Sequence, residues 1–445
     1  MPEFLTLLPP DSAREKLLLE LAPLRLSTVI ETSTALGRVT AEDVLAPHSL
    51  PEFPRSTVDG YAVKARDTFG ASETLPAYLK LAGEVPMGAA SAFGLRTGEC
   101  ALIHTGGMLP EGADAVVMLE TTQVAGGEIE ILRAVADGEN LIRVGEDIAA
   151  GQVVIRRGTL LRPAEIGGLM ALGITTLRVA NMVRVGLISS GDEVISAEDA
   201  PAPGQVRDIN AHTLAALVRR SGGEAVYYGI IPDSFSALRA AAQKALDECD
   251  VVIVTAGSSA STRDMTADVI ASLGQPGVLV HGINTRPGKP TILGVCNSNP
   301  RRGAGGGKAV IGLPGNPVSA LVNGYLFVVP VIEKLLGLPL DKPRASIPAQ
   351  LTINLASQAG REDWWPVRLI RPAPQKNAGQ ERSDSKVEGG LHPERSDSEV
   401  EGWLAEPIFG KSNLIFTLAA ADGLIKIHPD ANGIDAGELV DVFLM

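Results

Sequence analysis

The chain has too little cysteine to be held together by disulfides. Cys100, Cys249 and Cys296 are its only three in 445 residues, and no two form a C-x-x-C pair. That excludes a disulfide framework and a cysteine-built zinc site. Positive charge is also scarce: 39 Lys and Arg stand against 52 Asp and Glu, for a net charge of −13. General nucleic-acid binding needs a basic surface and is excluded. No apolar run is long and unbroken. The best one, from Leu321 to Leu336, is interrupted by Asn323, Pro330, Glu333 and Lys334 and reads as a buried helix. Met1-Pro-Glu-Phe-Leu lacks the basic start and cleavage site of a signal peptide, so a cytoplasmic protein is expected. The six histidines are scattered, and no Ser/His/Asp or Cys/His arrangement marks a nucleophilic triad.

What is present in excess is glycine (48) and proline (30), which fits many tight turns. A chain of this length is too large for one core, so several domains are expected. Helical spacing at 11–22 and 163–172 flanks short strand-like runs separated by Gly and Pro turns. This predicts an extended discontinuous domain (1–47 plus 145–182) interrupted by an inserted, mostly-β domain (48–144). From 183 to 343, strands alternate with helices, the pattern of a three-layer α/β domain with a parallel-rich sheet. Residues 344–445 return to short strands and predict a small C-terminal β-barrel or sandwich. Within it Glu381-Arg-Ser-Asp-Ser recurs at Glu394, so 375–402 reads as a mobile surface loop.

The segment richest in chemistry is Gly312-Leu-Pro-Gly-Asn-Pro-Val-Ser-Ala-Leu321. An apolar strand runs into Gly312 and Gly315, and Asn316 and Pro317 open a helix that includes Ser319. Asn suits the N-cap and Pro the first turn, so the helix start predicts free backbone N–H groups facing an oxyanion. Just upstream, Arg286-Pro-Gly-Lys-Pro290 holds two cations on a loop stiffened by proline. The two segments predict a small, phosphate-bearing anion as ligand, unless Arg286 and Lys289 are simply solvated charges.

Acidic residues gather at predicted strand ends. Asp192 and Glu193 follow a Ser-Ser-Gly turn, where they suit Mg²⁺ or merely shape the turn. Asp264 closes the small-residue run from Thr255 to Thr266, with Arg263 beside it for phosphate, or serves as a helix cap. Asp59 sits in Ser56-Thr-Val-Asp-Gly, where Asp-Gly reads first as a hairpin turn. His104-Thr105-Gly-Gly likewise reads as a strand ending in a turn.

Taken in order, these segments resemble the molybdopterin molybdotransferase family of molybdenum cofactor synthesis, to which the gephyrin E domain is related. They are Ser-Thr-Val-Asp-Gly-Tyr-Ala-Val (56–63), His-Thr-Gly-Gly-Met-Leu-Pro-Glu-Gly-Ala-Asp-Ala-Val-Val (104–117), Arg-Val-Gly-Glu-Asp-Ile (143–148), Ser-Ser-Gly-Asp-Glu (189–193), Ile-Ile-Pro-Asp (230–233), Arg-Pro-Gly-Lys-Pro (286–290) and Gly-Leu-Pro-Gly-Asn-Pro-Val-Ser-Ala (312–320). The resemblance implies a homodimer whose active-site cleft forms between subunits. It implies insertion of molybdate, or tungstate, into adenylylated molybdopterin with release of AMP. It assigns Asp59, Thr105, Glu193, Asp233 and Asp264 to the cleft. Glu193, Asp233 and Asp264 would hold Mg²⁺, while Arg263, Arg286, Lys289, Gly315, Asn316, Ser319 and Ser412 would bind substrate anions. The chain departs from the family in three places. The common Gly-Gly-Val-Ser-Val-Gly is Ala256-Gly-Ser-Ser-Ala-Ser, the usual first Lys of the proline loop is Arg286, and a usual Arg is Pro366, with Arg361 or Arg368 as substitutes. A gephyrin-like scaffold and a molybdopterin adenylyltransferase are the alternatives. Retention of the acidic residues favours an enzyme over the first, and the additional domains argue against the second.

Overall fold

A computed structural model describes residues 7–256, 260–296, 306–341, 343–372 and 402–445, with only the backbone at 260–264. The duplicated Glu-Arg-Ser-Asp-Ser segment falls outside these residues. The chain divides into two compact units, one of residues 28–179 and one joining the N-terminal segment to 180–445. Helix α1 (Pro10–Leu19) begins with Pro10 at its first position, where a missing N–H costs nothing. Ala13 and Leu17, four residues apart on one face, are fully buried. They pack within the larger unit, whereas the sequence division joined 1–47 to 145–182. Apolar spacing defines a buried face but not its partner.

In the unit of residues 28–179, six strands form one sheet. They are β1 (Gly60–Val63), β2 (Ala77–Glu84), β3 (Glu99–Ile103), β4 (Ala115–Met118), β5 (Thr122–Ala125) and β6 (Glu128–Ile131), in the order β4-β1-β3-β2-β6-β5. All neighbours are antiparallel except β2 and β3. Both faces are covered: Tyr61, Val63, Cys100 and Ile129 belong to one cluster, and Ala62, Ala101, Ile103 and Val116 to another. The Asp59-Gly60 hairpin expected from sequence does not form, because Gly60 is the first residue of β1. A Cβ there would lie 2.0 Å from the Val117 carbonyl oxygen, so glycine is required by close strand approach rather than by a turn. Helix α2 (Pro163–Ala171) buries Leu169 against Ala35, Leu161 and Val179.

The larger unit contains a six-stranded sheet. Its elements are β7 (Val183–Ser190), α3 (Asn210–Arg220), β8 (Gly223–Ile231), α4 (Phe235–Glu248), β9 (Val251–Ala256), α5 (Ala260–Ser272), β10 (Pro276–His281), β11 (Ile292–Cys296) and β12 (Lys308–Pro314). The order is β8-β7-β9-β12-β11-β10. The first four strands are parallel, whereas β11 runs antiparallel to both β12 and β10. The physical reason lies in the connection from β10 to β11. It is short and holds no helix, so it cannot make the crossover that parallel neighbours need. β9 and β12 are buried at every residue, as central strands covered on both faces should be. Each fully buried Ile or Val contributes about 1.5–3 kcal/mol.

After β12 the chain runs as one helical stretch through α6 (Pro317–Asn323), a π-turn (Gly324–Val328) and α7 (Val329–Leu336). By length and composition this 20-residue run would suffice to cross a membrane, but 72% of its most apolar window is buried inside the protein. It is a core helix, as its interruptions predicted. The C-terminal barrel closes through β13 (Ser346–Leu351), β14 (Glu362–Ile370), β15 (Trp403–Pro407), β16 (Gly423–Ile427) and β17 (Leu439–Leu444). The circuit is β14-β15-β13-β17-β16-β14, so no strand edge is left open among these five. All three thiols are buried and free, and burial pushes Cys100 up to about 12 and Cys296 up to about 11.

Candidate active site

Strand direction alone brings the two anion-binding segments together. In the β11–β12 register Ile292 faces Gly312, so the loop entering β11 lies at the end where β12 exits. That loop is Arg286-Pro-Gly-Lys-Pro290, and the exit is the Pro314–Ser319 turn. The barrel adds a third wall: the short strand Thr285–Arg286 pairs in parallel with the start of β14, placing Arg286 opposite Asp363. The result is a cleft of about 770 Å³, within the range of small-molecule sites. Arg286, Lys289, Asn316, Ser319 and Ser412 all line it. Gly315 is beside them in the chain, and its carbonyl accepts a hydrogen bond from Asn210 Nδ2 at 2.8 Å.

The cleft is cationic. Arg286, Lys289, Arg361 and Lys411 line it, and the acid beneath them is the fully buried Asp363. Arg286 Nη1 lies 3.4 Å from Asp363 Oδ2, and Arg361 Nε lies 3.1 Å from Asp363 Oδ1. The Arg286 guanidinium also sits 5.5 Å from the Trp365 ring centroid, a cation–π distance. Of the two arginines considered as substitutes at the Pro366 departure, Arg361 lines the cleft. Arg368 does not, and it approaches Glu406 at 4.0 Å. Lys411 and Trp365 were missed by sequence reading, because single residues in the barrel carry no local signal.

Two details of the glycine–proline segments differ from expectation. The Asn316 side chain makes no capping bond, and the Val318 N–H is taken by the Ser412 carbonyl at 3.0 Å. The helix start is therefore partly sealed by the barrel rather than left free. Gly288 has φ +106°, and a Cβ there would fall 1.7 Å from Asn323 Nδ2. That amide donates to the Pro287 carbonyl at 3.1 Å and to the Ser319 carbonyl at 2.8 Å. Asn323 thus ties the proline loop to the helix, through a residue sequence reading treated only as an interruption.

The acidic residues lie elsewhere on the same unit. The strand order reverses between β7 and β9, and such a switch point gathers ligands at the carboxyl ends of its strands. There the Ser190 hydroxyl donates to Asp233 Oδ1 at 2.7 Å, and the Asp233 N–H donates to Asp192 Oδ1 at 3.2 Å. Asp192 therefore does more than shape its own turn, since it fastens the loop after β8. Ser189 Oγ donates to Asp208 Oδ2 at 2.6 Å, another acid at this end of the sheet that the sequence motifs do not include. Glu193 and Asp233 do not line the cationic cleft. Among the described residues no three His, Cys, Asp or Glu side chains converge on a metal position. The expected trio of Glu193, Asp233 and Asp264 is not covered by this, because the side chains of Asp264 and Arg263 lie outside the described residues, as does most of the small-residue run after β9.

In the unit of residues 28–179, Asp59 and Thr105 meet directly. Asp59 Oδ1 accepts the Thr105 N–H at 2.8 Å and its hydroxyl at 3.2 Å. These donors, aided by nearby His104, hold the exposed Asp59 carboxyl below its usual range. His104 stands 3.7 Å from Asp59 Oδ1 and 3.2 Å from Glu84 Oε1.

Comparison with known proteins gives this arrangement a class. The family model described as the MoeA N-terminal region (domains I and II) matches residues 8–173. That for a probable molybdopterin binding domain matches 186–334, and that for the MoeA C-terminal region (domain IV) matches 391–445. A putative molybdopterin biosynthesis protein of Methanocaldococcus jannaschii is 34% identical over 425 residues, covering 94% of this chain and 92% of that one. A molybdopterin molybdenumtransferase of Nostoc sp. is 34% identical over 344 residues, or 77% of each chain. The crystal structure of a molybdopterin biosynthesis MoeA protein from Pyrococcus horikoshii OT3 matches 99% of this chain and 100% of its own, with TM-score 0.79 at 30% identity. The fold is thus that of the multidomain MoeA proteins. The chain belongs to the molybdopterin molybdenumtransferase family.

Proposed function

We propose that this protein inserts molybdate into adenylylated molybdopterin, yielding molybdenum cofactor, AMP and water. The observation that carries the reading is the cationic cleft, where five residues from three separated segments converge: Arg286, Lys289, Asn316, Ser319 and Ser412. Arg286 and Lys289 neutralise the oxyanion, and Arg286 offers a planar fork of donors. The hydroxyls of Ser319 and Ser412 supply neutral donors, which orient the oxygens without adding charge. A net charge of −13 does not oppose this, because clustered cations at low-dielectric walls focus the local field.

Asp233 on the loop after β8, and Glu193 next to the Asp192 that accepts the Asp233 N–H, would suit Mg²⁺ as an ion that keeps water and substrate phosphate for most of its ligands. This is how Mg²⁺ usually binds, with one or two carboxylates rather than a protein cage. When bound, it would neutralise the phosphoanhydride. Ser190 fixes the Asp233 carboxylate by donating to one oxygen, which leaves the other for a ligand.

The purified protein is mixed with adenylylated molybdopterin, Mg²⁺ and molybdate or tungstate, and AMP is followed. AMP that appears only with the oxyanion supports the reading, and AMP release indifferent to it would sink it. We infer a homodimer in the cytoplasm. If the site is shared between copies, mixing the impaired Asp59→Ala with the impaired Arg286→Ala raises activity well above that of either variant alone. If no such rise is seen, the shared site is refuted.

Asp59→Ala is expected to lower kcat/KM by about 10²-fold with an unchanged melting temperature. The carboxylate is exposed and forms no hairpin turn. Its depressed pKa means that its bonds with Thr105 are present at neutral pH and are lost only as pH falls through the folded-state value, and at this exposed position they add too little stability to move the melting temperature. An NMR titration in which Asp59 titrates at or above the usual carboxylate range would contradict this.

A further inference from the structure

Asp363 lies beneath the cationic cleft, against two of the arginines that line it, and no motif in the sequence singles it out. Its side chain is fully buried, at 0% exposure. A buried carboxylate demands compensation, because removing its charge from water costs several kcal/mol unless partners replace the lost hydration. Its partners are the two cleft-lining arginines and a hydroxyl. Ser357 Oγ donates to Asp363 Oδ2 at 2.8 Å, and Arg286 Nη1 approaches that same oxygen at 3.4 Å. Arg361 Nε stands 3.1 Å from Oδ1, but without hydrogen-bond alignment, so both atoms keep unused capacity.

Two guanidiniums thus share one negative charge, which leaves one unit of positive charge in excess. Each guanidinium has five N–H donors and engages Asp363 through one nitrogen. Trp365 constrains Arg286 from a second direction. Trp365 and Asp363 stand two residues apart on β14, so they project from the same face of the strand. Lys289, by contrast, is a flexible point charge on the exposed side of its loop.

We propose that Asp363 is a positioning residue: it holds Arg286 and Arg361 as a fixed pair of forks, so that the cleft takes a tetrahedral dianion in one orientation. This rests on the anion-binding reading of the cleft and adds the device that orders it. The electrostatics make the inference testable, because the two accounts differ in sign. Removing a negative charge near an anion site strengthens anion binding if the charge acts only through space. If the charge aligns the donors, its removal weakens binding.

The test is isothermal titration of the full chain with sodium molybdate, beside the molybdate KM and kcat for AMP release. Asp363→Asn keeps the shape and the Ser357 contact but removes the charge. The expected result is a molybdate Kd raised about 10-fold or more, with KM rising in parallel and kcat falling less. Ser357→Ala, which removes only the hydroxyl, is expected to raise Kd a few-fold, and it carries the test if Asp363→Asn fails to fold. Unchanged or tighter binding in the folded variant overturns the positioning role while the cleft reading stands. Absence of molybdate binding by the unsubstituted protein overturns the cleft reading and the inference together.

Discussion

Replacing Arg286 with alanine is expected to lower kcat/KM for molybdate by about 10²–10³-fold, the usual cost of losing a preorganised donor at a site of developing charge. The side chain is half exposed and borders the cleft, so its loss opens no cavity in the core. Melting temperature should therefore change little, and the effect should fall on the reaction. The one structural consequence is at Asp363, which would keep Arg361 and Ser357 as partners. Arg286→Lys should give an intermediate value. It preserves the charge but not the planar fork that Asp363 and Trp365 hold from two directions. Steady-state kinetics with molybdate as the varied substrate decide the matter. A kcat/KM for Arg286→Ala within a few-fold of the unsubstituted protein would place the oxyanion elsewhere.

Gly288→Ala is expected to be damaging out of proportion to the one methyl group it adds. The residue adopts φ +106°, which an L side chain rarely tolerates, and the new Cβ would lie 1.7 Å from Asn323 Nδ2. Backbone strain and overpacking each cost roughly 1–3 kcal/mol, so the substitution costs about 2–6 kcal/mol. The cost cannot be relieved by moving Asn323, whose amide holds both the Pro287 and the Ser319 carbonyls. Both anion-binding segments should shift together. The expected outcome is a clear fall in the melting temperature of the larger unit, with loss of molybdate binding. A variant that melts normally and binds normally would show that the loop has freedom the close contact denies.

Much of this protein is legible without coordinates. Alternation of strands and helices from Val183 onward gives the α/β domain, because periodicity is a local property of the chain. Proline and glycine punctuation marks the turns of the inserted sheet, and the broken apolar run after Asn316 identifies a core helix. Motif order along nearly the whole chain identifies the family, and with it Arg286, Lys289, Asn316, Ser319 and Ser412 as candidate anion ligands. These residues do line one cleft.

Other features were decided only in three dimensions, because they depend on partners distant in sequence. The antiparallel edge formed by β10 and β11 follows from a connection without a helix, and it alone delivers Arg286 to the end of β12. Gly60 resembles a turn residue in sequence, yet it is fixed by a strand carbonyl 57 positions away, at Val117. Helix α1 has a clear apolar face, but which surface covers that face is a tertiary fact. Asp363 sits in a run of acidic and aromatic residues that gives no sign of function. It acquires one only because parallel pairing sets it opposite Arg286, and because barrel closure buries its charge where two guanidiniums must answer it.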